Sequence, residues 1–504
     1  MENPAGIDET APRLSWILEA RGRGRVQSAY QIVVSGDREG ILSGRGDLWD
    51  TGKVPSSGTV HIEYAGRPLE SGSRYYWRVR VWDEKDVPSP WSHVATWSMG
   101  LLQEDRWQGK WIGFDTGLGE DGTRLPLPPP VYLRKTFSLR EPPGKASLYV
   151  TAMGLFEVYI NGKRVGRDLF TPGWSSYRKR VYYRTYDVTD LLLEGPNAIG
   201  VILADGWYAG YVGFEPPGQN QWKGREFYGQ TPALLLRLEM TGADGSLKAL
   251  VSDESWRAST GPILEADILM GETYDARLEM PGWAEGGFDD SDWSRASPVA
   301  VPPARIAAYP APPVREVGTV KPQKVTSPIP GVHIFDMGQN FAGRVRLRVS
   351  GKGGSGITLR YGEMLSADGT VMTQNLRSAR AVDTYVLKGG GVEVWEPRFT
   401  YHGFRYLQVE GLGPDPPPET VTGVALSSDL EVTGSISSSS GLVDRLFEAI
   451  MRTQRSNFLE IPTDCPQRDE RLGWSGDAHL FARTAAYNMD VAAFLTKWLE
   501  ALRD

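Results

Sequence analysis

The sequence predicts a multidomain chain in which three mainly-β sandwich domains precede the start of an α-helical domain. Three observations predict this order. The length of 504 residues exceeds what one hydrophobic core usually holds. Short runs of alternating apolar and polar residues recur as far as residue 430. After Ser437 the spacing of apolar residues changes to the period of a helix.

The composition is that of a globular protein and narrows the classes of partner. Hydrophobic residues make up 40% of the chain and charged residues 23%, which is close to the average for folded proteins. A net charge of -7 argues against binding nucleic acid, because neutralising phosphates needs a basic face. The 17 Trp and 21 Tyr suit a neutral sugar, whose C–H faces pack on aromatic rings.

The sequence lacks both a membrane-spanning segment and a secretion signal, which bears on the location of the protein. No run of about 18 apolar residues occurs, so we expect no membrane-spanning helix and no membrane partner. Cys465 is the only cysteine, and the first eleven residues lack the basic and apolar segments of a secretion signal. A cytoplasmic location is therefore the expectation.

The first predicted domain covers residues 1–100. Alternation in residues 74–82 places Tyr75 and Val79 on one face of a strand, and such short strands are typical of a fibronectin type III or immunoglobulin-like sandwich. Residues 101–130 follow as a linker. Its second half, 116–130, ends in LPLPPP, where proline removes hydrogen-bond donors and stiffens the chain.

The second predicted domain covers residues 131–303 and looks like the jelly-roll carbohydrate-binding modules attached to hydrolases. Asn161-Gly162 indicates a hairpin, because both turn positions require positive φ. A buried strand at 198–204 runs into a loop with an acid and two aromatic rings. Two interpretations stay open for this loop. The loop either forms a secondary sugar-binding rim or is a turn whose tryptophan caps the core. Its residues are Asp205, Trp207 and Tyr208.

The third predicted domain, residues 304–430, is another sandwich, with alternating runs at 343–351 and 357–365. His402 lies in this region and is interpreted as a structural histidine. The chain has 5 histidines, and no two have the spacing of metal ligands. We therefore expect neither a metal nor a cofactor.

Residues 431–504 are predicted to begin a helical domain. Helices are expected at about 442–458, at 478–487 and from about 490. The last helix carries strongly apolar residues that we expect to be exposed in this chain alone, because further helical layers would be needed to cover them: Phe494, Leu495, Trp498 and Leu502.

The loop between the first two of these helices carries the candidate chemistry. Residues 464–477, DCPQRDERLGWSGD, hold four carboxylates, two arginines and one tryptophan within fourteen positions. Hydrolysis of a glycosidic bond needs one acid to protonate the leaving oxygen and a second carboxylate to activate water or attack. Clustered like charges raise the pKa of one acid, while arginines keep the others ionised. A solvated acidic loop laced with salt bridges is the alternative that the composition alone leaves open.

The same string resembles, almost letter for letter, the active-site signature of glycoside hydrolase family 78, the bacterial α-L-rhamnosidases. The resemblance extends over nearly the whole chain through ENPAGID, LADGWYAG, GETYDAR and FTYHGFRYLQV. It implies that the third sandwich is concanavalin-like and that the helices begin an (α/α)6 six-hairpin barrel. It also implies an inverting mechanism with Glu470 as the general acid, and four residues that hold or line the sugar: Asp464, Arg468, Trp474 and Asp477.

The resemblance further implies that the general base is a glutamate from a later helix hairpin, past residue 504. The chain alone is therefore expected to be an incomplete and inactive fragment. Rhamnose-containing glycosides or oligosaccharides are the implied partners, and a homodimer is left open. Two other functions also stay open: a non-catalytic carbohydrate-binding protein, and a hydrolase on the same barrel that acts on another sugar.

Overall fold

The protein is described by a computed structural model that covers residues 2–117, 125–213 and 224–504. The chain divides into two compact units. Unit 1 comprises residues 1–108, 184–187 and 307–309, and unit 2 comprises 109–183, 188–306 and 310–504. The predicted boundaries at residues 130, 303 and 430 lie inside unit 2 and stay predictions. Part of the predicted linker, residues 118–124, lies outside the described residues.

Unit 1 contains the small sandwich. Its main sheet has five strands: Trp49–Asp50, Ala29–Ser35, Arg74–Trp82 and Ala95–Ser98 in order, with Val54–Pro55 paired to Ala29–Ser35. A second pair joins Arg13–Leu14 to Ile62–Glu63, and the short helices are Arg38–Leu42 and Glu104–Arg106. Tyr75 and Val79 are buried in its core, as the alternation predicted.

Two larger sheets form the second β region. The first has seven strands: Ser297–Pro298, Ile112–Gly113, Ala233–Thr241, Lys145–Met153, Arg180–Asp187 and Arg305–Ala308, with Leu247–Val251 paired to Ala233–Thr241. The second has six: Lys163–Arg164, Leu155–Ile160, Gly195–Ala204, Val131–Leu139, Arg257–Ser259 and Ser294–Arg295. The predicted hairpin is confirmed, because Asn161 and Gly162 have φ of 50° and 77° between paired strands.

A ten-stranded sheet forms the third β region. Its strands are Ile263–Asp267, Gly271–Asp275, Val382–Val386, Gly356–Gly362, His402–Glu410, Val332–Ser350, Val421–Ser428 and Val314–Val320, with Lys324–Ile329 and Val392–Trp395 paired to Val332–Ser350. His402 is fully buried within it, 3.2 Å from the carboxylate of Asp383. The burial and the contact with Asp383 agree with a structural role for His402, which stays an interpretation.

Short helical turns complete the β regions, and three longer helices follow them. The turns are Thr189–Leu191, Gly206–Ala209, Ala276–Leu278, Gln374–Leu376 and Pro418–Thr420. The three longer helices are Gly441–Asn457, Ser475–Asn488 and Ala492–Arg503, and a two-stranded ribbon, Phe458–Leu459 with Ile461–Pro462, follows the first. No helix in the described part of the chain has both the length and the apolar character needed to cross a membrane.

The last helix corrects one expectation about exposure. Phe494 is fully buried and stacks on Phe458, and Trp498 is 9% exposed and packs with Ile461 and Trp174. Trp174 from the second β region and Phe458 and Ile461 from the ribbon therefore cover the helix face that was expected to be exposed. The expectation holds for Leu502, which is 52% exposed.

A buried ion pair fastens this helix to the rest of unit 2. The ammonium of Lys497 lies 2.9 Å from the Glu460 carboxylate and donates to the Glu460 carbonyl at the same distance, and both side chains are fully buried. The Glu460 carboxylate also accepts from the backbone N–H of Trp174. A buried charge without a partner of opposite sign costs several kcal/mol of folding free energy. Lys497 and Glu460 must therefore stay in contact, and this fixes the position of the helix.

Replacing Lys497 with methionine should destabilise the last helix by about 3–5 kcal/mol, because the Glu460 charge would stay buried without its cation. Hydrogen exchange of the helix amides measures this local free energy of unfolding. The exposed pair of Arg452 and Glu448 supplies the control, and Arg452→Met should cost no more than about 1 kcal/mol. Equal effects of the two substitutions would contradict the role given to the buried pair.

Candidate active site

The loop that follows the ribbon closes on itself before the second long helix begins. The backbone N–H of Asp464 donates to the Leu472 carbonyl at 3.0 Å, and the N–H of Leu472 donates to the Asp464 carboxylate at 2.9 Å. These two bonds bring the ends of residues 464–472 together. Every residue between them is therefore held in a compact loop rather than a helix, as Pro466 and its neighbours predicted.

Arg471 anchors this loop to the ten-stranded sheet region. Its guanidinium donates to the carbonyls of Ile268 and Tyr401 at 3.0 and 2.8 Å, and it also binds the carbonyls of Gln467 and Arg468. The side chain is buried and lies over the Tyr401 ring. The hydrogen bonds of the Arg471 guanidinium thus go to main-chain carbonyls and not to the carboxylates of the loop.

Glu470 occupies the centre of the candidate site. Its backbone has a φ of 108°, which side-chain-bearing residues rarely adopt, and its N–H donates to the Gly213 carbonyl at 2.8 Å. One carboxylate oxygen accepts from the indole N–H of Trp474 at 2.9 Å. The other oxygen lies 2.6 Å from Arg377 and 3.0 Å from Arg468. The carboxylate is therefore held on both sides.

These contacts decide the charge of Glu470. Burial favours the neutral acid, but the hydrogen bonds from Arg377 and Trp474 and the charge of Arg468 outweigh burial and lower the pKa of Glu470. The crowding of acids was expected to raise the pKa of one member of the loop. For Glu470 the direction is the opposite, because two guanidinium groups lie within ion-pair distance.

Arg377 was not found by sequence reasoning. It lies in the turn after Gln374–Leu376, between two strands of the ten-stranded sheet, and it contacts both Asp469 and Glu470. Asp469 also accepts from the hydroxyl of Ser378 at 2.5 Å. No local signal in the sequence marks this arginine, because its partners are more than ninety positions away.

The other predicted sugar-binding residues are only partly brought together. Arg468 lies 3.3 Å from the Asp464 carboxylate as well as close to Glu470, and Trp474 is 43% exposed directly before the helix Ser475–Asn488. Asp477 is exposed in the first turn of that helix, and within the described ranges no hydrogen bond or ion pair to its carboxylate is recorded. Asp464 and Glu470 thus lie close together, whereas the described residues show no contact between the Asp477 carboxylate and either of them.

The structure also shows the burial of the three residues for which two interpretations were left open. Asp205, Trp207 and Tyr208 are all 5% exposed or less. Asp205 forms a buried ion pair with Arg225, and Trp207 stacks on Trp174 with ring centroids 5.5 Å apart. The second of the two interpretations, a turn whose tryptophan packs against the core, describes this geometry. Tyr208 nevertheless lines an open pocket together with Phe114 and Tyr228, so the sugar-binding interpretation stays a prediction.

Four family models match successive parts of the chain. They are the Rha78A-like N-terminal immunoglobulin domain at residues 1–103, the α-L-rhamnosidase N-terminal domain at 141–318, the bacterial α-L-rhamnosidase concanavalin-like domain at 327–427 and the bacterial α-L-rhamnosidase 6 hairpin glycosidase domain at 431–504. The last match contains the whole candidate loop. The chain belongs to the bacterial α-L-rhamnosidase family.

Individual α-L-rhamnosidases are similar to the chain over its full length. A relative from Formosa agariphila is 40% identical over 516 residues, which is 100% of this chain and 54% of the relative. The structure of the Streptomyces avermitilis α-L-rhamnosidase complexed with L-rhamnose is 35% identical with a TM-score of 0.94, over 100% of this chain and 64% of that one. The Aspergillus terreus α-L-rhamnosidase is 42% identical with a TM-score of 0.90, over 99% and 56%. The chain thus spans between 54% and 64% of the length of these rhamnosidases.

One group of this rhamnosidase loop has the donor atoms of a metal site. The ligand atoms of Asp464, Cys465 and Glu470 lie within 4.8 Å of one another. However, Arg468 already contacts both carboxylates, and burial raises the pKa of the Cys465 thiol to about 11. A divalent cation would have to displace a guanidinium and a proton, so the group does not suit a metal.

Cys465 should react slowly with thiol reagents while the protein is folded. With a pKa of about 11, its thiolate fraction at pH 8 is roughly a hundredth of that of an ordinary cysteine, and burial reduces access further. Labelling with Ellman's reagent at pH 8 should therefore be at least about 100-fold slower in the native protein than in denaturing urea. Cys465→Ala supplies the blank. Rapid labelling of the native protein would contradict the burial of this thiol.

Proposed function

We propose that the protein containing this chain hydrolyses terminal, non-reducing α-L-rhamnose from α-L-rhamnosides, with Glu470 as the proton donor. One observation carries the proposal: the Glu470 carboxylate is only 11% exposed and lies between an arginine and a tryptophan that stay accessible, Arg468 and Trp474. An acid in that position can reach a glycosidic oxygen while its neighbours hold the sugar. The named rhamnosidase relatives support the choice of sugar.

The accessible residues suggest how the sugar is held. The Trp474 indole offers an apolar face, and its N–H is already directed to Glu470, so the ring is fixed before a sugar arrives. Arg468 is 38% exposed and offers further N–H groups to hydroxyl oxygens. We assign Asp464 to the same sugar, chiefly as the group that orients Arg468, and leave Asp477 as a ligand that approaches from the first helical turn.

The reaction is proposed to invert the anomeric centre. Inversion places a water between two carboxyl groups about 6.5–9.5 Å apart. One carboxylate oxygen of Asp464 and one of Glu470 lie within 4.8 Å of each other, which is closer than this spacing. Asp464 is therefore excluded as the base that partners Glu470, and no residue of the described chain is assigned to that role.

Glu470 must acquire a proton before it can act. Free of substrate it is held as a carboxylate by Arg377, Trp474 and Arg468. A bound sugar removes water from the site, and desolvation favours the neutral acid. Binding of the substrate therefore shifts Glu470 toward the form that donates the proton.

In the full-length protein, Glu470→Gln should reduce kcat on alkyl rhamnosides by about 10²–10⁴-fold, because the leaving alkoxide then lacks its proton donor. The loss should be much smaller on nitrophenyl α-L-rhamnoside, whose leaving group departs without protonation. Steady-state kinetics on both substrates measure the difference. Equal losses on the two substrates would rule out the acid role.

Two controls make this experiment specific. Glu448→Gln changes an exposed glutamate on the first long helix and should leave the kinetics unchanged. A panel of nitrophenyl glycosides, assayed with the unmodified protein, tests the sugar itself. Preferential turnover of a glycoside other than α-L-rhamnoside would show that the substrate assignment is wrong.

A further inference from the structure

Arg377 reaches the candidate site from a firmly held turn of the sandwich. Leu376 and Ala379 beside it are buried, and they are joined by a backbone hydrogen bond of 3.1 Å. Arg377 itself has a φ of 56°, in the left-handed region. The Leu376 carbonyl also accepts from the N–H of Asp469 at 3.3 Å. The turn and the acidic loop are therefore joined through the main chain as well as through side chains.

The guanidinium of Arg377 bridges three acceptors on that loop. Its Nε lies 2.6 Å from the Asp469 carboxylate, while one terminal nitrogen donates to the Asp469 carbonyl at 2.9 Å and to the Glu470 carboxylate at 2.6 Å. A planar guanidinium with several N–H groups can hold such acceptors together, whereas a single ammonium lacks this fork. The contact therefore depends on geometry as well as charge.

The backbone at Glu470 and Arg471 has an unfavourable conformation that contacts from outside the loop must stabilise. Glu470 and Arg471 have φ of 108° and 50°, values that cost free energy for residues with a Cβ and persist only where the surroundings impose them. Arg471 is held by its four carbonyl contacts, as described above. For Glu470 the external contacts are Gly213 at the main chain and Arg377 at both the side chain and the preceding carbonyl.

We propose that Arg377 is a positioning residue for Glu470: from the sandwich domain, it fixes the side chain and the strained backbone of the proton donor. The proposal rests on the function proposed above, in which Glu470 is the acid. It places part of the control of the reaction in the concanavalin-like domain, outside the six-hairpin match that contains the acid. An exposed ion pair alone would contribute little, but both acidic partners here are at least 89% shielded from solvent.

The test uses Arg377→Gln in the full-length protein. We expect kcat on alkyl rhamnosides to fall about 10–100-fold with KM changed by less than about twofold, because the acid is misplaced while the sugar contacts remain. A double-mutant cycle isolates the route of this effect. In the Glu470→Gln background, Arg377→Gln should cause no further loss beyond about twofold.

The pH profile supplies a readout that a purely structural role would not change. Charged and titratable groups recorded around Glu470 in the described residues are one arginine of the sandwich and four residues of its own loop: Arg377, Asp464, Cys465, Arg468 and Asp469. Removing the Arg377 charge raises the pKa of Glu470, so the acid keeps its proton to higher pH. The alkaline limb of kcat/KM should therefore move to higher pH.

Arg380→Gln is the matched control. Arg380 lies three residues away on the same segment, is similarly exposed, and pairs with Glu265 and the Met270 carbonyl away from the acid. Its replacement should leave kcat and the pH profile unchanged. If Arg377→Gln fails to fold, Arg377→Lys keeps the charge without the fork and should still lose about 3–10-fold in kcat.

The outcomes separate this proposal from the one on which it rests. Wild-type kcat in both Arg377 variants would overturn the positioning role while leaving Glu470 as the acid. An undiminished effect of Arg377→Gln in the Glu470→Gln background would also overturn it, because Arg377 would then act through another group. If Glu470→Gln itself leaves hydrolysis of alkyl rhamnosides intact, the proposed function fails and the role of Arg377 fails with it.

Discussion

The buried guanidinium of Arg471 is the contact on which the rest of the site depends. It satisfies four main-chain carbonyls, two from the acidic loop and two from the sandwich region, and so fixes the loop against the sheet. A buried charge without such partners would cost several kcal/mol, which makes any other placement of the loop unfavourable. Glu470, the preceding residue, has its position set by this anchor. The strained φ of both residues is the local cost of that arrangement.

Because the Arg471 guanidinium binds main-chain carbonyls, the positive charges next to the loop carboxylates come from other residues. One source is local, Arg468, and the other is distant, Arg377. Together with the hydrogen bond from Trp474, they explain why the Glu470 pKa falls although its loop is rich in carboxylates. Counting charges along the sequence assigned both arginines of the loop to its acids. In the structure only Arg468 of the two contacts them, and Arg377 supplies the second positive charge.

Local patterns predicted most of the fold, and distant contacts account for what they missed. The three long helices and the Asn161-Gly162 hairpin follow from spacing and turn chemistry within a few residues. The burial of Trp207 and Trp498 depends on Trp174, which is remote from both in sequence. The contact of Arg377 with Glu470 spans 93 positions, and no periodicity reports such a pairing. Resemblance to the family motif identified the loop, and the physical reasons for its shape required the structure.

The acid is held by three parts of unit 2. The Gly213 carbonyl, after the buried strand Gly195–Ala204, accepts from the Glu470 N–H; Arg377 approaches from the ten-stranded sheet; and Trp474 leads into the second long helix. The β regions therefore take part in orienting Glu470, because the hydrogen bonds from Arg377 and to the Gly213 carbonyl come from them. Meanwhile the Lys497–Glu460 pair fixes the last helix beside the ribbon from which the loop departs. A change in either sandwich that moves Gly213 or Arg377 by one ångström would misplace the proposed proton donor without touching the proposed sugar contacts. Under the proposed mechanism, sequence differences among these β regions would alter the rate of the chemical step independently of sugar binding.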